Sequence, residues 1–386
     1  MQTKPFSFTG KGSEYFRIWI VNICLTVLTL GIYSAWATVR TRRYFYGNTR
    51  LDEENFEYHA TPLQILFGRM IAITLLVVYV ILSNLFPVVG GIMMLLLALV
   101  IPWVVWRSLQ FNARMSSYRN VRFAFGGGLW GPYKYLLLVP LIPVGVGIAV
   151  ASALYLSGLG GGSLYVAVLG AVFLGIYGIM PYVQALFGRY RINHSHYGQG
   201  NFAAELSAGA YYLIYLKFLL WGLIGVVILS ILSGAYFLVV AGGNLTAFDF
   251  ENNPEGVLRV LIPVAVFVFA ALIVFFIFLQ AFLKSRLRNY IFGKTELDDV
   301  LALRSNTGAF GLFMVYLVNL LLVIFSLGLA TPWAKVRLAR YMANHTHAII
   351  PGDLGQYVTR QRSSQTSLGE EMGDAFDLDA GLGIGL

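Results

Sequence analysis

The chain has 386 residues, 58% of them hydrophobic and 12% charged, with a mean hydropathy of +0.71; a water-soluble globule could not cover itself with so little polar surface. The formal charge of +9 does not point to nucleic acid, because the basic residues cluster at the ends of apolar runs, where lipid headgroups and the insertion machinery read them. One cysteine, Cys24, inside an apolar run excludes a disulfide framework and a thiolate metal cage.

A hydrocarbon core about 30 Å thick needs roughly 20 apolar residues in a helix. Eight stretches approach that length: 18–39, 65–85, 88–106, 135–156, 164–187, 211–240, 259–283 and 311–334. The sequence therefore predicts an all-α polytopic membrane protein. No small-residue cleavage site precedes the first stretch, which is expected to be retained.

In chain order, the first stretch carries basic residues at both ends, Lys11 and Arg17 against Arg40, Arg42 and Arg43. The second and third form a hairpin through 84–87 and lead into a loop with Arg107, Arg114, Arg119, Arg122 and Lys134 and no acid, which is cytoplasmic by the positive-inside rule. The fourth and fifth turn through the Gly-rich 157–163, and the sixth and seventh through 242–256, whose charges include Asp249, Glu251 and Glu255. The loop after the seventh is again basic, with Lys284, Arg286, Arg288, Lys294 and Arg304. Six clear transmembrane helices result. The eighth stretch repeats the first, with Arg304 at one end and Lys335, Arg337 and Arg340 at the other. Either these two cross fully and place both termini outside, or they dip in and return, leaving both termini cytoplasmic. Arg69 and Lys217, close to cytoplasmic helix starts, are read as snorkelling anchors.

Self-similarity favours the return. Leu30-Gly31-Ile32, Trp36-Ala37, Val39-Arg40 and Arg43-Tyr44 recur 297 positions later as Leu327-Gly328-Leu329, Trp333-Ala334, Val336-Arg337 and Arg340-Tyr341, with Asn22 mapping onto Asn319. Pro181, Arg189-Tyr190 and Asn193-His194-Ser195-His196 recur as Pro332, Arg340-Tyr341 and Asn344-His345-Thr346-His347. Beginnings recur as well: Phe6-Ser7-Phe8-Thr9-Gly10 resembles Arg122-Phe123-Ala124-Phe125-Gly126, and Phe56 and Phe202 hold the same loop position. Alternating aromatics followed by Gly predict short extended elements on the cytoplasmic side. The first stretch has the beginning of an outgoing helix and the end of a returning one, so it and the eighth are expected to be re-entrant, bending near 29–34 and 326–332, with kinked full spans as the alternative. The expected organisation is one membrane domain, 1–350, built of repeats at about 5–85, 88–160, 164–245 and 259–350. A disordered acidic, Gly-rich cytoplasmic tail, 353–386, is expected to follow and to offer a docking segment for a cytoplasmic partner.

The opening Phe6-Ser7-Phe8-Thr9-Gly10, the run Leu28-Thr29-Leu30-Gly31-Ile32-Tyr33 with Trp36, Arg43-Tyr44 with Asn48-Thr49, and Asn193 with Tyr197-Gly198 before Phe202 resemble the YjgN-like family of bacterial inner-membrane proteins. The resemblance covers about residues 5–350 and implies an integral inner-membrane location, with no catalytic residue to carry over. Where the family usually shows Asn-Thr, this chain has Asn193-His194-Ser195 and Asn344-His345-Thr346.

Candidate chemistry is sparse. His194, His196, His345 and His347 are weak candidates for a metal site, since equivalent loops of two repeats could bring four imidazoles together, but no carboxylate or thiol accompanies them at ligand spacing. Asn22, Asn319, Gln184 and Gln280, with Gln110, place amides in or at the ends of apolar segments, where they either line a polar path or bond helix to helix. Arg107, Arg119, Arg122, Arg40 and Arg337 are candidate contacts for anionic lipid headgroups. No Asp or Glu lies mid-span, which disfavours a carrier coupled through a buried carboxylate. No phosphate loop, metalloprotease helix or nucleophile elbow is present, and neither an enzyme nor a cofactor is expected. The expected partners are membrane lipids, anionic ones included. Gly- and Pro-broken segments at corresponding positions point to a transporter or channel-like protein for a small or amphiphilic solute. The alternative is a non-transporting scaffold or lipid-interacting envelope factor.

Overall fold

The computed structural model describes residues 2–241, 254–298, 300–350 and 355–362. The expected outward loop at 242–256 therefore lies largely outside the described residues. One pattern, strand, two helices, strand, occurs five times. The first is β1 (Gln2–Phe8), α1 (Gly12–Leu28), α2 (Ser34–Gly47) and β2 (Thr49–Leu51). The second is β3 (Glu54–Tyr58), α3 (Pro62–Leu85), α4 (Pro87–Arg114) and β4 (Ser116–Tyr118). In the third, β5 (Val121–Phe125) leads through α5 (Trp130–Pro132), a π-helical turn (Tyr133–Leu138) and α6 (Val139–Leu156) to α7 (Gly162–Asn193) and β6 (Ser195–Tyr197). The fourth is β7 (Gly200–Ala204), α8 (Ala208–Val240), α9 (Pro254–Phe292) and β8 (Thr295–Leu297), and the fifth β9 (Leu301–Ser305), α10 (Ala309–Phe325), α11 (Thr331–Asn344) and β10 (Thr346–Ile350).

The strands close into one antiparallel barrel, β1-β10-β9-β8-β7-β6-β5-β4-β3-β2. This corrects the all-α expectation: the short extended elements, expected to pair beneath the membrane, close with one another into a complete ring of ten strands. Even strands of three residues span too little sequence to show a period of two, and closure removes the unpaired edges that such short strands would expose. Tight turns link the units at one rim. In the turns after β2 and β4, Asp52 and Glu53 (φ 51° and 65°) and Arg119 and Asn120 (φ 48° and 62°) both take the left-handed backbone that two-residue hairpins favour. All five helical hairpins leave from the other rim. The unit bounds thus fall at these turns, giving five units where the sequence suggested four.

Among the described residues, six helices are long and apolar enough to cross a membrane: Pro62–Leu85, Pro87–Arg114, Trp130–Leu156, Gly162–Asn193, Ala208–Val240 and Glu255–Phe292. They coincide with the six spans read from the sequence. Thr61 starts α3 with a reciprocal capping box to Gln64, and Pro62 occupies the first turn, where its missing N–H costs nothing.

The first and eighth apolar stretches each fold back. Helices α1 and α10 have 17 residues each, about 25 Å of rise, and end in a left-handed pair, Leu30 and Gly31 (φ 50° and 93°) or Leu327 and Gly328 (φ 51° and 92°). The amide of Gly31 donates to Thr26 O at 2.7 Å and that of Gly328 to Val323 O at 2.8 Å, the six-to-one bond of a Schellman ending. α2 and α11 then return to the same barrel rim. At the two apices Leu30 is 95% and Leu327 94% exposed, a tip suited to lipid and not to water.

Among the described residues, substantial helix packing runs between neighbours around the ring, and α11 against α1 closes it. Gly12 lies so close to the Trp333 indole that a Cβ would not fit there. The helices therefore form a closed ring above the barrel. Beyond β10, residues 355–362 form a helix whose Tyr357 and Val358 are buried with the barrel's turn-rim side chains. The expectation of a disordered tail from 353 is corrected for this segment, because two large apolar side chains find a ready-made apolar surface there.

Candidate functional site

The barrel interior is built from two positions of each unit, one on each of its strands. Phe6, Phe56, Phe123, Phe202 and Leu303 sit mid-strand on the odd strands and stand opposite Leu51, Tyr118, Tyr197, Leu297 and Ala348 on the even ones. Directly opposed residues share a face, and those five partners are buried, so all ten side chains point to the barrel axis. Ring contacts run across the interior: Phe6 to Phe56 at 6.1 Å, Phe56 to Tyr118 at 4.8 Å, Tyr118 to Tyr197 at 6.3 Å, Tyr197 to Phe123 at 5.1 Å and Phe123 to Phe202 at 6.4 Å. The phenols are tied down, Tyr118 donating to Leu51 O at 2.7 Å and Tyr197 to Tyr118 O at 2.9 Å. Burial pushes the Tyr118 hydroxyl up to about 12, and that of Tyr197 is raised for the same reason, so both are neutral donors at physiological pH.

The terminal helix covers the turn-rim opening. Tyr357 donates to Asp298 Oδ2 at 2.7 Å, and the amide of Gln199 donates to Gln361 Oε1 at 2.6 Å. Burial, with the Asp298 carboxylate second, holds the Tyr357 hydroxyl far above its ordinary range. On the same rim Asp52 takes Lys4 Nζ at 2.8 Å and Arg119 Nη2 at 3.0 Å. The hydrogen bond from Lys4, ahead of that from Arg119, holds the Asp52 carboxyl below its usual value.

Above the barrel, a cleft of about 600 Å³ opens between α1, α2, α3 and α11, lined by Asn22, Ser34, Thr38, Arg42, Arg69 and Lys335 among others. Asn319 and Gln280 line another, mostly apolar, cleft between α9 and α10. Asn319 Nδ2 donates to Ala334 O at 3.0 Å, the helix-to-helix role, whereas Asn22, its sequence counterpart, has no partner on either amide atom. Gln184 bonds Tyr215 on the neighbouring α8. The four amides are thus not collected along one path: two share a cleft, one bonds a neighbour, one faces a separate cleft.

The basic candidates divide. Arg40 packs over the Tyr33 ring at 5.8 Å, Arg107 donates to Gln110 at 3.3 Å, and Arg337 is exposed on α11, all on the helices. Arg119, in the turn after β4, and Arg122, on the outer face of β5, lie toward the turn rim, Arg122 three residues or about 10 Å from the helix-rim end of its strand. The five headgroup candidates therefore lie at two levels of the fold, and Arg119 is paired with Asp52. His194 and His345 cap α7 and α11 through Nδ1, 2.8 Å from Tyr190 O and Tyr341 O, and stack on those tyrosines. His196 Nδ1 meets Asn201 Oδ1 at 2.7 Å, and His347 lies on β10, with β7, β8 and β9 between β10 and β6. The weak metal candidates are not brought together, and no cluster of three metal-ligating side chains occurs among the described residues.

Two features escaped the sequence reading. The recurring aromatics were visible, but nothing local shows that they converge on one axis. Arg69, read as an anchor, instead donates to Ser34 Oγ and, at 2.8 Å, to Thr38 Oγ1 inside the cleft.

A family model described as "Bacterial protein of unknown function (DUF898)" matches residues 3–375. "Inner membrane protein YjgN" of Salmonella typhimurium is 27% identical over 370 residues, covering 90% of this chain and 88% of that protein. Its namesake in Escherichia coli O157:H7 is 27% identical over 384 residues, with 94% and 92% covered, and that of Escherichia coli K12 is 26% identical over 386 residues with the same coverage. No solved structure matches.

Proposed function

The chain belongs to the DUF898 family of bacterial proteins, and from that premise we propose that this integral inner-membrane protein is a gated, channel-like conduit for an amphiphilic solute. The names of the relatives support the inner-membrane location, and the six apolar helices support multiple crossings. In this reading the barrel faces the cytoplasm, because basic residues gather at its helix rim. Both Gln2 and Ile350 pair at the turn rim, so both ends of the described barrel are on that side.

The observation that carries the reading is the aromatic interior: a ring of helices packed mainly neighbour to neighbour among the described residues stands over a barrel filled by Phe6, Phe56, Phe123 and Phe202 and covered by residues 355–362. Such a constriction excludes water and ions and yields only if side chains swing away. Helices apolar on nearly every face suit a solute with its own hydrocarbon portion. The scaffold reading rested partly on Arg119 and Arg122, which lie away from the helix rim.

The test is flux of a fluorescent lysophospholipid through vesicles carrying the purified full-length protein. Phe56→Ala with Phe123→Ala should raise flux over wild type, as should deletion of 351–386, while Phe→Leu at the same positions should leave it low. If neither opened variant exceeds protein-free vesicles while remaining folded, the conduit reading fails.

A further inference from the structure

Asn22 is only 4% exposed, and both its Nδ2 and its Oδ1 lack a hydrogen-bond partner. A buried amide in an apolar helix normally finds a partner, since leaving it bare forfeits its hydration without return. Here the amide lines the cleft between α1, α2, α3 and α11. The same cleft holds three cations, Arg42, Arg69 and Lys335, and no Asp or Glu lines it. None of the three appears in an ion pair among the described residues. Arg69 is satisfied only by the neutral hydroxyls of Ser34 and Thr38, and Arg42 by Tyr58 and Asn112.

Depth sharpens the point. Asn22 is ten residues into α1 and Arg69 seven residues into α3, about 15 Å and about 10 Å above the rim from which those helices rise. Cations at such depth pair with something negative, and no carboxylate among the described residues lines the cleft. A hydroxyl pair presenting an arginine, a second arginine and a lysine is a donor set for an oxyanion.

We propose that this cleft binds the phosphate of an anionic ligand. Arg69 and Lys335 supply the charge, the Asn22 amide donates to a phosphate oxygen, and Asn22 Oδ1 accepts from a hydroxyl or amine on the ligand's substituent. A volume of about 600 Å³ accommodates such a headgroup. The exposed Val27 and Leu28 beyond it offer a surface for a hydrocarbon chain. A phospholipid headgroup and a free organic phosphate share this chemistry. The proposal concerns binding and stands apart from the conduit reading, to which it would add the class of the solute.

The experiment uses the full-length protein in phosphatidylcholine nanodiscs. Binding of phosphatidylglycerol is followed by native mass spectrometry, and binding of glycerol 3-phosphate by thermal shift. Wild type should retain phosphatidylglycerol if the source is lipid, or respond to glycerol phosphate if it is soluble. Lys335→Gln and Asn22→Leu should each weaken the positive arm by about tenfold. Arg69→Gln carries a risk of misfolding that the other two lack, since Lys335 is exposed and Asn22 bonds nothing. If neither probe binds wild type, or if both variants bind as wild type does, the proposal is overturned. Binding without flux would sink the conduit reading alone, and flux without binding the anion site alone.

Discussion

The guanidinium of Arg340 donates through Nη2 to the carbonyl oxygen of Gly10 at 2.8 Å, joining the last helical hairpin to the start of the first across 330 residues of sequence. Arg43 does the same one unit along, its Nη2 donating to Ala60 O at 3.0 Å. Removing Arg340 should therefore loosen the ring where its two ends meet. Arg340→Ala is expected to cost about 1 kcal/mol, the low end for a charged donor because the side chain is exposed. Thermal unfolding in detergent checks this, and a midpoint equal to wild type would show that closure does not depend on the bond.

The turn at Leu30 and Gly31 separates a returning hairpin from a continuous span. Gly31 holds φ +93° with open space around its Cα, so Gly31→Ala meets backbone strain alone. A loss of about 1 kcal/mol is expected. Were 18–39 one straight helix, the same change would stabilise it by a similar amount, because alanine is the better helix former. The sign of the change in unfolding midpoint decides.

Acid should weaken the turn rim. The folded-state carboxyl of Asp52 is lowered by Lys4 first and Arg119 second, so the stability it contributes is present above its unfolded value and is lost as pH falls through the folded one. Wild type should lose thermal stability below the ordinary carboxylate range more steeply than Asp52→Asn. Parallel curves for the two proteins would remove Asp52 from the acid response.

With Cys24 replaced by Ser, single cysteines at Gly160, Leu30 and Asn120 read the topology in intact cells. A membrane-impermeant thiol reagent should label position 160, at the apex of a long hairpin, and spare positions 30 and 120. Labelling at 30 would mean that the short hairpin crosses, and labelling at 120 without 160 would invert the protein.

What the sequence determined by itself was the membrane class and the six spans, and it favoured a return of the two short segments over kinked full spans. These follow from local quantities, the length of each apolar run, the flanking arginines and the match of Leu30-Gly31 to Leu327-Gly328 at the ends of half-length helices. The aromatic recurrences around Phe6, Phe56, Phe123 and Phe202 were legible as well, but not their meaning. Only the tertiary structure decided that three-residue strands such as Ser195–Tyr197 close into a barrel. One side of such a strand pairs with its turn neighbour, but the other needs Phe123–Phe125, about 70 residues earlier, and the ring closes only where β1 meets β10 at the far ends of the chain, so no window of sequence carries the barrel. The same holds for the cleft: Asn22, Arg69 and Lys335 belong to three separate helices of a ring, and their charge balance exists only once the ring has closed.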